Sequence, residues 1–124
     1  MTTMMRRDEA SKAESCEDPI DVQQIEDSTE FALVMQLGAS TREDIDTKTA
    51  TLIGELNLLL SRRPGADDDP AVRDLCRRAY RLLELSERPT KETPAFSAFF
   101  YMRDVASLTR RLLWVYAEGS GHAP

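Results

Sequence analysis

Four stretches of this chain repeat apolar residues at alternating spacings of three and four, and glycine, proline or capping residues punctuate each one. That period is the one an α-helix imposes on a buried face. No stretch alternates apolar and polar residues between turn signals, so there is no material for a sheet. The reading is an all-α domain, a four-helix up-and-down bundle whose short connections make neighbours antiparallel.

Asp18-Pro19 has the form of an N-cap followed by proline at the first helical position, and Val22, Ile25, Leu33 and Leu37 recur until Gly38 stops the first helix. Ser40-Thr41-Arg42-Glu43 reads as a capping box for the second. Its stripe is Ile45, Thr49, Leu52, Leu56 and Leu59, widened by Ile53 and Leu60 and closed by Arg62-Arg63-Pro64-Gly65. An acidic, turn-rich linker, Pro64 to Pro70, ends on Asp69-Pro70, a second cap and proline pair that opens helix three. There Val72, Leu75, Cys76, Ala79, Leu82, Leu83 and Ser86 share one side, with Arg73, Arg77, Arg81 and Arg88 opposite.

Thr93-Pro94 opens the fourth helix, which carries two stripes, one of Ala98, Tyr101, Val105, Leu108, Leu112 and Val115, the other of Phe99, Met102, Ala106, Leu113 and Tyr116. One neighbour cannot cover both, so helix four is expected to be central or to meet a second subunit, and a homodimer through it is the expectation. The boundaries are a disordered leader at 1–17, the bundle at 18–118 and a flexible tail at 119–124.

The net charge is −6, and the first 63 residues carry all of it while the remaining 61 sum to zero. That balance argues against a nucleic-acid partner, which needs a basic face. Two cysteines in unlike settings make no disulfide framework, the first fifteen residues hold no apolar core of signal-peptide length, and no run is long enough to span a membrane, so neither export nor membrane insertion is expected. A cytoplasmic protein with no membrane partner is the expectation.

The chemistry available is narrow. Gly38, Gly54 and Gly65 stand singly rather than in a phosphate loop, no CxxC or HExxH pattern offers a metal site, and the only histidine is His122 near the C-terminus. The expectation is therefore no cofactor and no metal, with any proton transfer left to Glu, Asp, Tyr or Arg. Glu55 sits at the edge of the second helix's apolar stripe, one heptad after Lys48, where partial burial would raise its pKa. Its structural alternative is a boundary glutamate reaching solvent or Lys48. Tyr101 carries a hydroxyl that needs a partner if buried, and Phe100 and Trp114 fall toward the polar side of helix four beside Arg103, Arg110 and Arg111, as interface anchors do.

DVQQIEDSTEFALVMQLG, TREDIDTKTATLIGELNLLL, RRAYRLLEL and AFFYMRDVASLTRRLLWVY, spanning about residues 21 to 118, resemble a family of small helical proteins from actinobacterial natural-product gene clusters. In that family's pattern the residue after the helix-two glycine is often histidine; here it is Glu55. The resemblance implies a cofactor-independent Pictet-Spengler-type condensation of an arylethylamine with an aldehyde. Glu55 would then move protons, Tyr101 donate a hydrogen bond, Arg103 or an arginine of helix three such as Arg77 clamp a carboxylate, and Tyr80, Phe99 and Met102 wall the small-molecule site. The competing expectation is a non-catalytic helical interaction or regulatory module that docks through Trp114 and Phe100.

Overall fold

The computed structural model describes residues 20–62 and 69–119, and among them it contains four α-helices, two 3-10 turns and no strand. The helices are α1 (Val22–Val34), α2 (Arg42–Arg62), α3 (Pro70–Leu82) and α4 (Ala95–Gly119), with the short turns at Leu37–Ala39 and Leu85–Glu87. The all-α bundle is as the periodicity requires. The expected leader (1–17), most of the acidic linker and the tail beyond Gly119 lie outside the described residues.

Two helix starts differ from the expectation, each for a local reason. Asp18 and Pro19 lie outside the described residues, and the cap of α1 is Asp21, whose carboxylate accepts from the Gln24 backbone N–H at 3.1 Å. Ile20 and Ile25, on either side of that cap at N′ and N4, are both buried, the placement of a hydrophobic staple. In α2 the capping box sits one residue later than Ser40-Glu43: Thr41 Oγ1 accepts from Asp44 N at 3.0 Å, and the Asp44 carboxylate accepts from Thr41 N at 3.1 Å. Ser40 is committed elsewhere, its hydroxyl donating to the Gln36 carbonyl at 2.8 Å across the preceding turn. That turn also ends α1 at Val34, so Leu37, expected in the stripe, is exposed. By contrast α3 starts where the cap and proline predict, with Asp69 accepting from Ala71 N at 2.9 Å.

The register is fixed by pairs far apart in sequence. Along α1 and α4 they run in opposite order: Ile20 N–H donates to Tyr116 Oη, Arg110 pairs with Glu26, and Arg103 Nη1 donates to the Leu33 carbonyl. These helices are antiparallel. Arg42, at the start of α2, donates to the carbonyls of Thr93 and Thr90 at 2.6 and 2.8 Å, which sets α2 beside the start of α4 and parallel to it. The end of α3 lies near that same end of α4, where the Tyr101 hydroxyl donates to the Leu82 carbonyl at 2.6 Å.

Helix α4 is therefore central, packing most extensively on α2 and also on α1 and α3. The two stripes explain the position: Ala98, Phe99, Tyr101, Met102, Val105, Ala106, Leu112 and Leu113 are all buried, facing Ile45, Leu52, Leu56 and Leu59 of α2, Ile25 and Ala32 of α1, and Leu75 and Ala79 of α3 within one core. Each large aliphatic side chain so buried stabilises the fold by about 1.5–3 kcal/mol. Thr49 and Thr109, also buried, satisfy their hydroxyls on carbonyls one turn back, at Ile45 and Val105. On α3, Arg73, Arg77 and Arg81 form the exposed flank as expected, but Arg88 folds back to donate to the Leu83 carbonyl at 2.9 Å, and Ser86 is exposed rather than buried.

Candidate functional site

Because three helices cover α4 on three sides, a fourth side is left open. At 3.6 residues per turn, Phe96, Phe100, Ser107, Arg111 and Trp114 fall within a sector of about 60°, with Asp104 at its edge. All of them are exposed, Phe100 to 57% and Trp114 to 58%. Arg103 and Arg110 border this strip on the α1 side. On the α3 side, Arg78 and Leu82 join Asp104, Ser107, Leu108 and Arg111 in a shallow groove of about 290 Å³. Large aromatic side chains left in water at both ends of a central helix are what a docking surface presents.

A second polar feature lies in the seam between α1 and α2. Glu55 projects from the edge of the α2 stripe and is half-buried beside Ser28 of α1. Burial pushes its carboxyl above the ordinary value of 4.5, opposed by the neighbouring Ser28 hydroxyl and the Lys48 charge. Ser28 Oγ and Glu55 Oε1 are both buried without a protein hydrogen-bond partner. Lys48 makes no ion pair with Glu55; its ammonium stands 4.6 Å from the centre of the Phe31 ring. That ring and Lys48 belong to an open groove of about 790 Å³ between the end of α1 and the start of α2, lined also by Val34, Met35 and Thr47.

The residues assigned to a condensing site are not gathered in one place. Glu55 meets α1, whereas Tyr101 points its hydroxyl at the Leu82 carbonyl of α3, on another flank of α4. Burial raises the Tyr101 phenol, with Arg88 opposing and Glu87 adding, so at neutral pH it keeps the proton that this bond uses. Arg103 is spent on the Leu33 carbonyl and the face of Phe99, 5.8 Å from the ring centre, in effect closing the end of α1. Phe99 and Met102 are core side chains, while Tyr80 and Arg77 stand exposed on α3, where Arg77 lies 3.7 Å from Asp74. Phe100 and Trp114 share the open strip of α4, and Arg77 and Tyr80, three residues apart, share the outer face of α3, away from Glu55.

The pair Ser28 and Glu55 was half visible in sequence: Glu55 lies at the stripe's edge, but nothing marked Ser28 as its neighbour, since that depends on how α1 crosses α2. Among the described residues no group of three or more His, Cys, Asp or Glu is placed to hold a metal ion, and no helix is long and apolar enough to cross a membrane. Comparison with protein-family models, with curated proteins and with solved structures gave no match.

Proposed function

We propose that this chain is a non-catalytic helical interaction module that docks a protein partner through the open face of α4, with Phe100 and Trp114 as its anchors. The observation that carries this reading is that both rings stand exposed on the one helix that packs against all three others. A rigid helix presents aromatic anchors with little ordering entropy left to lose on binding. The groove beside them supplies a polar rim of Arg78, Asp104 and Arg111.

A photo-crosslinking residue placed at Phe100 tests it in living cells, with the same residue at exposed Arg73 on α3 as control. A discrete crosslinked product is expected from position 100 alone, and it should vanish in Trp114→Ala. A pattern unaffected by Trp114→Ala, or equal from both positions, refutes the reading.

One observation favours a second function, the cofactor-independent condensation of an arylethylamine with an aldehyde: Glu55 carries a half-buried carboxyl that burial raises above its ordinary value, the direction that favours a proton donor. Purified protein with amine and aldehyde should then exceed the buffer rate and give stereochemical excess, both lost in Glu55→Gln. Product at the buffer rate and racemic would end that reading.

A further inference from the structure

Apart from Phe96, whose counterpart across Ser107 is Glu118, the open strip of α4 is arranged evenly about its middle. Phe100 and Trp114 each lie seven residues from Ser107, and both are more than half exposed. Asp104 lies three residues before Ser107 and Arg111 four after it, both exposed. We propose that the partner of this face is a second copy of the chain, its α4 antiparallel to the first and related by a twofold axis passing at Ser107.

Aromatic spacing and one charge pair both fit this arrangement. With the dyad at Ser107, Phe100 comes opposite the partner's Trp114 and Trp114 opposite the partner's Phe100, two aromatic pairs about 21 Å apart along the helix axis. Asp104 comes level with the partner's Arg111 to within about one residue's rise of 1.5 Å, so an opposite-charge pair forms on each side of the axis; on the α1 edge Arg103 comes level with the partner's Arg110, but each is already turned to its own α1, Arg103 on the Leu33 carbonyl and Arg110 on Glu26. A parallel, in-register alternative leaves Asp104 and the partner's Arg111 about 10 Å apart along the axis, so this opposite-charge pair cannot form in it. A small side chain at the crossing lets the two backbones approach, and Ser107 supplies it.

This is the self-complementary patch that a twofold dimer requires, with each element contributed twice. The chain's negative charge does not oppose it, because the excess lies in residues 1–63 and α4 belongs to the neutral remainder. Arg78 of α3 and the pair that Arg110 of α4 makes with Glu26 of α1 flank the strip and form the rim.

The inference rests on the reading of this face as a docking surface, and its test separates the two. The mass of the full chain is followed by sedimentation equilibrium from low micromolar to sub-millimolar concentration, with circular dichroism as the control for folding. Wild type should pass from one copy to two. Trp114→Ala and Phe100→Ala should each raise the dissociation constant about thirtyfold or more, as central aromatic anchors do. Asp104→Arg and Arg111→Asp should each weaken pairing about tenfold, and the two together should restore it to within about threefold, because the swapped charges meet again across the axis.

A single-copy mass at every concentration overturns the second-copy inference while leaving the docking reading to the crosslinking result. A dimer indifferent to Trp114→Ala and Phe100→Ala overturns it too, since the copies then meet elsewhere. A dimer broken by the aromatic variants but not restored by the double charge swap overturns the antiparallel register at Ser107.

Discussion

Leu113 and Trp114 are neighbours in sequence on α4 and opposites in environment, 0% and 58% exposed, so truncating each to alanine measures directly which side of the helix the fold uses. For Leu113 the loss combines transfer of the side chain with the cavity left beneath it, about 2–5 kcal/mol for a fully enclosed leucine. Trp114 keeps only about two-fifths of its surface from water, which for a side chain of roughly 250 Å² at about 25 cal/mol/Å² sets a ceiling near 2.5 kcal/mol. Much of that covered area lies against its own helix and is kept in the unpaired α4, and alanine returns about 0.5 kcal/mol in helix propensity. The net cost is thus about 1 kcal/mol. For a chain of this length 1 kcal/mol moves the melting temperature by about 4 °C. Thermal unfolding followed at 222 nm, at a concentration where one copy predominates, should show Leu113→Ala melting about 8–20 °C lower and Trp114→Ala within about 4 °C of wild type. If Trp114→Ala costs as much as Leu113→Ala, the outer strip of α4 is covered within the monomer and the docking reading built on it fails.

Glu55→Gln should gain stability relative to wild type as pH rises. A carboxyl whose folded pKa is raised binds more protons folded than unfolded between the ordinary 4.5 and its raised value, so wild-type stability is full below that interval and declines through it. A difference in denaturation midpoint that stays flat from acid to neutral pH would show that the carboxylate feels no burial. Gly54→Ala should stabilise by about 0.5–1 kcal/mol, since nothing lies within 4 Å of the added methyl group and α2 is helical there; a loss in chemical denaturation would contradict that open space. Tyr101→Phe should cost about 1 kcal/mol by removing the bond to the Leu82 carbonyl, and an unchanged melting temperature would mean the hydroxyl holds nothing.

What the sequence made legible was whatever local spacing determines. The double stripe of α4 called for either a central helix or a second subunit because a buried arc that wide needs more than one neighbour, and the helix is central; Asp69-Pro70 foretold the start of α3 because a cap acts within one turn. The caps of α1 and α2 were displaced because several polar residues stand in a row at each start, and tertiary surroundings choose among them. Asp21 serves once Ile20 is buried, and Thr41 serves once Ser40 turns back to Gln36. The assembly of a catalytic set was less legible still. Tyr101 and Glu55 both carry the right chemistry, but which flank of α4 each faces depends on crossings of α1 and α3 that no local pattern encodes.

The two polar features of the fold then have different physical meanings. Ser28 and Glu55 are withdrawn from water without a mutual hydrogen bond, which costs free energy of folding and is offset by the apolar seam of Ile25, Ala32, Leu52 and Leu56 around them. The α4 strip costs little in the isolated fold, because its polar members are hydrated and its rings are bulky enough to shield part of their own helix. It becomes costly in a second copy's absence only through the hydration of Phe96, Phe100 and Trp114, a burden that pairing would remove from both chains at once. A helix already fixed on three sides gains only about 1 kcal/mol internally from a ring such as Trp114, so on the docking reading the larger benefit of keeping three exposed aromatics would lie in what they meet outside the monomer.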